Sequence, residues 1–273
     1  MPKSRAVAIL TGMHSIETAH FLIDGGRIRP RVPRGIGNEL ADHIAAELVP
    51  LGLVPDGQAF ERIFVDAVLS TQPDPARAWT AFYDSTMRRL RRADRAGTGS
   101  VATFARIYDR ALSLVRGTAV LDVGSCFGFL PLLAAERDTR LRVIGTDLVP
   151  AAAALAGRIS RARGGRARFA AADLLALPVG DHAVDTVLAV HVLEHLPARM
   201  TAPALTQLCR VARRRVVVAV PLEEAPDPTF GHVQAFDLPR LARLGAAPGW
   251  SHDVHAADGG WLVLDRAAYS PIG

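Results

Sequence analysis

Val120-Leu121-Asp122-Val123-Gly124-Ser125-Cys126-Phe127-Gly128-Phe129 runs without a break into Leu130-Pro131-Leu132-Leu133-Ala134-Ala135. A short apolar run, a bend carrying two glycines and a helical segment follow in that order, which is how an α/β protein cradles a nucleotide at the end of a strand. Glycine lets the backbone turn tightly and approach a ligand closely, where a β-carbon would intrude. Spacing then narrows the ligand. A dinucleotide fingerprint, Gly-x-Gly-x-x-Gly, needs glycine at 124, 126 and 129, and this chain has Gly124, Cys126 and Phe129.

Working outward, Ala119 to Val123 is the first of five apolar runs. The others are Arg142 to Thr146, Ala167 to Ala170, Thr186 to Val190 and Arg215 to Val220, with mostly helical segments between them. That alternation predicts a doubly wound, mostly parallel sheet of the α/β class. Trp250 to Ala256 and Gly260 to Asp265 flank Ala257-Asp258-Gly259 and read as a closing antiparallel hairpin, bringing the expected sheet to seven strands. Upstream, a helix over Val101 to Val115 leads into the first strand. Before it the chain changes character and reads mainly helical, over Gly37 to Val49, Gln58 to Leu69 and Asp74 to Arg92, the last opened by Pro73-Asp74-Pro75. Arg95-Ala96-Gly97-Thr98-Gly99-Ser100 reads as a linker, so residues 1–98 are expected to form a mainly helical cap and residues 99–268 the nucleotide domain.

Composition excludes several classes. With 273 residues, 49% of them hydrophobic, the chain can bury a real core, and no run of 18 apolar residues exists to span a bilayer. Met1-Pro2-Lys3-Ser4-Arg5 is followed by too few apolar residues for a signal peptide, which points to the cytoplasm. Cys126 and Cys209 match no metal-ligand spacing and read as free thiols. The net charge of +5 rests on 32 basic residues of which only Lys3 is lysine. Such arginine usage is what a GC-rich genome produces, so Arg88, Arg89, Arg91, Arg92 and Arg95 are expected to coat a solvated helix face rather than to hold nucleic acid.

The next strand should end in a carboxylate about 20 residues beyond the first glycine, placed to accept from ribose hydroxyls. Asp147 lies 147 − 124 = 23 residues on, with Leu148 after it. Asp173-Leu174, after the third strand, offers a carboxylate for an adenine amino group, although both aspartates could equally be helix or turn caps. His191-Val192-Leu193-Glu194-His195 has the spacing of inverted zinc peptidases. Because it follows a strand directly, His191 is expected at the strand end, with Glu194 and His195 opening the next helix. The two histidines then do not share a helix face, and no metal is expected.

These residues together resemble the class I S-adenosylmethionine-dependent methyltransferases. Asp122, Gly124 and Gly128 fit that family's Asp/Glu-x-Gly-x-Gly-x-Gly pattern, with Cys126 in place of the middle glycine, so a slightly displaced loop is expected around the methionine end of the cofactor. A closer resemblance is to the actinobacterial methyltransferases acting on the oligosaccharide of the redox cofactor mycofactocin. It is carried by Pro73-Asp74-Pro75-Ala76-Arg77-Ala78-Trp79, Phe82-Tyr83, the glycine bend, His191 to Leu196, Arg213 to Pro221, Gly231-His232-Val233, Phe236-Asp237-Leu238 and Gly259 to Arg266. The resemblance implies a Rossmann-like fold, O-methylation of a glucose hydroxyl, and S-adenosylmethionine as cofactor, leaving as S-adenosylhomocysteine. It implies cofactor contacts from Asp122, Gly124, Ser125, Cys126, Gly128, Phe129, Asp147, Leu148, Asp173, Leu174 and His191. A sugar hydroxyl needs a base, and His232, His191, Asp237 and Glu194 are the candidates, His232 first because it follows the acid-rich loop Glu223 to Phe230.

The partner is then a small-molecule or glycoside acceptor, with the N-terminal cap as its binding region and no membrane involved. Trp79, Phe82 and Tyr83 share a helix face that could stack on a sugar but more often forms core. The rival acceptors are RNA or another small molecule. The Asn/Asp-Pro-Pro-Tyr/Phe and Pro-Cys signatures of base methylation are absent. A non-catalytic protein that keeps the cleft is the third reading, against which the intact Asp122, Gly124, Asp147 and Asp173 stand.

Overall fold

The structure, a computed structural model, describes residues 15–24, 27–31, 36–92 and 97–267. Lys3, Arg95 and the start of the expected linker lie outside the described residues. The chain divides into two compact units, one comprising Met1–Ala105 with Pro228–Gly231, the other Arg106–Asp227 with His232–Gly273.

The first unit is not purely helical. Strands β1 (Ile16–Glu17), β2 (Phe21–Asp24) and β3 (Arg27–Pro30) form an antiparallel sheet. Phe21 and Ile23 alternate inward along β2, the period of a half-buried strand. The helix expected over Gly37 to Val49 is shorter, with α1 (Leu40–His43) widening into a π turn over Ile44–Leu48 that buries Ile44 and Leu48. Helix α2 (Gly57–Leu69) starts where Asp56 accepts the N–H of Ala59 at 2.8 Å, and α3 (Pro75–Arg92) starts where Asp74 accepts that of Ala76 at 2.9 Å. Phe82 and Tyr83 are each only 1% exposed, and Trp79 stands edge-on to Phe82 at 5.6 Å, so two of the three aromatics are core. Arg88, Arg89, Arg91 and Arg92 are exposed, Arg89 pairing with Glu39 at 3.0 Å. Phe230, of the short turn Pro228–Phe230, packs on Phe60 at 5.3 Å. Helix α4 (Ser100–Ser113) carries the division between units, after Ala105.

The second unit contains a seven-stranded sheet in the order β6-β5-β4-β7-β8-β10-β9. Its strands are β4 (Ala119–Val123), β5 (Arg142–Asp147), β6 (Arg168–Ala171), β7 (Val184–Val190), β8 (Ala212–Val220), β9 (Trp250–Ala256) and β10 (Gly260–Arg266). Strands β4 to β8 are parallel, and β10 runs antiparallel to both β8 and β9. Helices α5 (Phe129–Arg137), α6 (Pro150–Ala162), α7 (Thr201–Val211) and α8 (Leu238–Gly245) accompany them. All five residues of β4 are buried, the unbroken apolar pattern of a strand covered on both faces. Leu121, Val187 and Val218 on three adjacent strands are fully buried in one cluster with Leu208 of α7, each contributing roughly 1.5–3 kcal/mol by leaving water. Arg215 on β8 lies opposite Asp265 on β10 and holds it with two hydrogen bonds of 2.8 and 2.7 Å, pinning the hairpin register.

Strand order reverses between β4 and β7, and at such a switch point the loops after the two strands diverge and leave a crevice at their carboxyl ends. Both the glycine bend and the segment from His191 to His195 leave the sheet there. Among the described residues no helix is long and apolar enough to cross a membrane.

Candidate active site

The bend after β4 is built from left-handed residues. Gly124 has φ +70°, Cys126 +48° and Gly128 +72°. A β-carbon on Gly124 would sit 2.4 Å from Val192 Cγ2, and one on Gly128 2.4 Å from Phe169 Cε1, so side chains are excluded at both. At Cys126 the bend keeps its left-handed turn with a side chain present, and the thiol is exposed. Ser125 N–H donates to Thr146 O at 2.8 Å, and Cys126 N–H donates to Asp147 Oδ2 at 2.8 Å. Asp147 Oδ1 meanwhile accepts from Val149 N–H at 2.9 Å. The carboxylate at the end of β5 and the bend after β4 are therefore one hydrogen-bonded unit.

Asp122 is buried at the end of β4, and burial, then the negative charge of Asp147, holds its carboxyl well above the usual range. Tyr108 is likewise pushed up, by burial and then by Asp122 and Cys126. Leu148, beside Asp147, is 70% exposed, an apolar surface that a flat ring can cover. Asp173 Oδ1 accepts from Leu175 N–H at 2.8 Å and caps the short turn Leu174–Ala176, with Leu174 buried beneath. Phe129 opens α5 and is buried.

A second cluster lies after β7. His191 adopts φ +55°, its N–H donating to Ala219 O at 2.8 Å, and burial, with His232 and His195 adding, pushes its imidazole down to about 4. Glu194 and His195 do not open the next α-helix as expected. They occupy a 3₁₀ turn over Leu193–His195, and α7 starts only at Thr201, because Pro197 interrupts the chain between them. Glu194 is fully buried, and burial pushes its carboxyl up to about 8 despite a backbone hydrogen bond, with Glu223 adding to the rise. His232 sets its Nδ1 against Glu223 at 2.9 and 3.0 Å, and its ring meets that of His195 edge-on at 5.1 Å.

Buried Gln234 fastens the two segments. Its Nε2 donates to the carbonyls of Leu193 and Leu196, both at 2.7 Å, and to Thr201 Oγ1 at 2.9 Å, while Val233 N–H donates to Glu194 O at 2.9 Å. Sequence reasoning passed over Gln234 and gave Glu223 only as the start of the acidic loop, since a glutamine between two apolar residues looks like any surface position. Asp237 stands apart as the cap of α8, its Oδ1 accepting from Arg240 N–H at 2.6 Å.

Residues 120–215 match the family model described as a methyltransferase domain. A demethylmenaquinone methyltransferase of Thermus thermophilus is 43% identical over 68 residues, 25% of this chain; the match covers 31% of that relative's length. Among solved structures, an O-methyltransferase family protein from Burkholderia thailandensis superposes with a TM-score of 0.53 at 18% identity, covering 71% of this chain and 61% of its own. The PH0226 protein of Pyrococcus horikoshii gives 0.52 at 15% identity, covering 64% of this chain and 97% of its own. The cyclase SpnF gives 0.53 at 19% identity, covering 63% and 84%. At such identities the likeness is one of fold, and the chain has the Rossmann-like sheet of these proteins.

Proposed function

We propose that this chain is an S-adenosylmethionine-dependent O-methyltransferase whose acceptor is a sugar hydroxyl, a glucose of an oligoglucoside of the mycofactocin type. The observation that carries the donor assignment is the hydrogen bond joining the Cys126 N–H to Asp147 Oδ2, which makes the side-chain-free bend and the carboxylate a single cradle. Asp147 then takes the ribose hydroxyls, and Leu148 and Asp173 the adenine. The methyltransferase-domain match over residues 120–215 supports the same donor. The sugar acceptor is supported by the resemblance of Gly231-His232-Val233 and its companion segments to the glycan-methylating family.

The cofactor supplies a methyl group on a sulfonium, displaced in line by the acceptor oxygen. What remains for the chain is alignment and proton removal. Holding two reactants in line and excluding water supplies roughly 7–11 kcal/mol of such a barrier. The bend, fixed by Ser125 and Cys126 N–H groups, aligns the donor. The proton passes to the imidazole and carboxyl cluster of His191, Glu194, His195 and His232, with Glu223 fixing the ring of His232. Asp237 caps α8, its Oδ1 accepting from Arg240 N–H.

The experiment is a transfer assay with donor bearing a deuterated methyl group, the purified chain and glucose oligosaccharides. A product heavier by one labelled methyl, on oxygen, supports the reading. Label appearing only in RNA nucleosides would move the acceptor to nucleic acid and leave the donor in place.

A further inference from the structure

We infer that Glu194, His195 and His232 bind one divalent first-row transition ion, of the zinc or cobalt kind. The inference rests on the proposed reaction for its purpose, but not for its geometry. Each of the three side chains offers one ligand atom, and these atoms lie within 4.8 Å of one another. Around an ion with bonds of about 2.1 Å, tetrahedral ligand atoms stand roughly 3.4 Å apart, so small rotations close the set. Two imidazoles and one carboxylate suit borderline transition ions, whereas magnesium and calcium prefer oxygen alone.

Two further observations point at a ligand. Glu194 is fully buried, and neither carboxylate oxygen accepts a hydrogen bond from another described residue. The Nδ1 of His191 stands 3.6 Å from Oε1, too far for one. A carboxylate taken out of water in that state is costly unless a cation or a proton meets it. Glu223 on Nδ1 of His232 is the second: a carboxylate behind an imidazole fixes its ring and raises the basicity of the other nitrogen, the arrangement that metal-ligating histidines use.

The rest of the site is built to hold still. Val233 and Gln234 N–H groups both donate to Glu194 O, at 2.9 and 3.3 Å, so the ligand 232 − 195 = 37 residues further along the chain is tied to the first two. His195 is exposed, which gives an ion a path in and leaves a coordination position for the acceptor. His191 lies outside the set, and His232 completes it.

An ion here would bind the acceptor oxygen and acidify its hydroxyl. The O–H bond breaks with the proton leaving to solvent water at the exposed edge of the site, beside His195. The oxygen's electron pair forms the new C–O bond while the C–S pair returns to sulfur.

The test uses the full chain, stripped with a chelator and titrated with Zn(II) and with Co(II), with Mg(II) for comparison. One Co(II) per chain with visible absorption of a low-coordinate site is expected. E194Q and H195A should each weaken Zn(II) binding by at least about tenfold. H191A should leave it within about twofold, and E194Q and H195A should keep S-adenosylhomocysteine affinity as proof of folding. Absence of stoichiometric binding, or unchanged affinity in both E194Q and H195A, overturns the site. Glu194 is then simply a neutral buried acid. Full methyl transfer by chelated protein would also overturn it while leaving the proposed function standing. Ion binding without sugar methylation would do the opposite.

Discussion

The amide of Cys126 donates to the carboxylate of Asp147 across two adjacent strand ends, at 2.8 Å. The residue proposed to hold the ribose thus also fixes the bend after β4. Asp147→Ala should weaken S-adenosylhomocysteine binding by about 10- to 100-fold, the value of one or two hydrogen bonds to a charged group. Calorimetry reads this directly, and Asp173→Ala should cost less, because its carboxylate also caps a turn.

Gly128 combines φ +72° with a β-carbon position 2.4 Å from the Phe169 ring. Gly128→Ala should destabilise the fold by about 1–3 kcal/mol through overpacking and left-handed strain. A urea titration checks it, and pairing the substitution with Phe169→Leu should recover part of the loss.

Asp185, nearly buried at the start of β7, shows the opposite sign of shift from Glu194. Burial alone would push it up, but the N–H of Ala119 at 3.0 Å, the guanidinium of Arg213 at 2.5 Å and the N–H of Thr118 at 2.9 Å hold it well below the usual carboxylate range. A depressed carboxyl stabilises the fold fully above its unfolded value, near pH 4, and loses that contribution as pH falls toward its folded value. Asp185→Asn should therefore cost about 1–3 kcal/mol at pH 7, since the arginines left behind are half exposed and remain solvated. Urea titrations at lower pH should show the gap to wild type narrowing below about pH 4, and a constant gap would contradict the assignment.

Among the described residues Glu223 is hydrogen-bonded to the ring of His232, so its effect should fall on turnover. Glu223→Gln should lower kcat by about 10- to 100-fold while donor affinity stays within twofold. A loss of donor affinity instead would place Glu223 in the cofactor site.

The sheet was legible because its strands are apolar runs bounded by glycine and charge; β4 and β9 coincide with their expected bounds. The starts of β7 and β8 were not. Asp185 and Arg213-Arg214 look solvated in sequence, yet they satisfy one another at that edge, Arg213 at 2.5 Å and Arg214 at 3.1 Å from the same oxygen. Strands β1 to β3 escaped notice since two to four residues give too short a period to read. The donor bend was legible as a local motif. The His232 cluster was not, because Gln234 and Glu223 reach their partners through tertiary contacts that no spacing encodes.

The most direct measurement is a crystal structure of the chain with S-adenosylhomocysteine. The ligand should lie against Gly124 to Gly128 with its ribose on Asp147. Density for it elsewhere, with that bend and carboxylate bare, would contradict the donor site and the reaction built upon it.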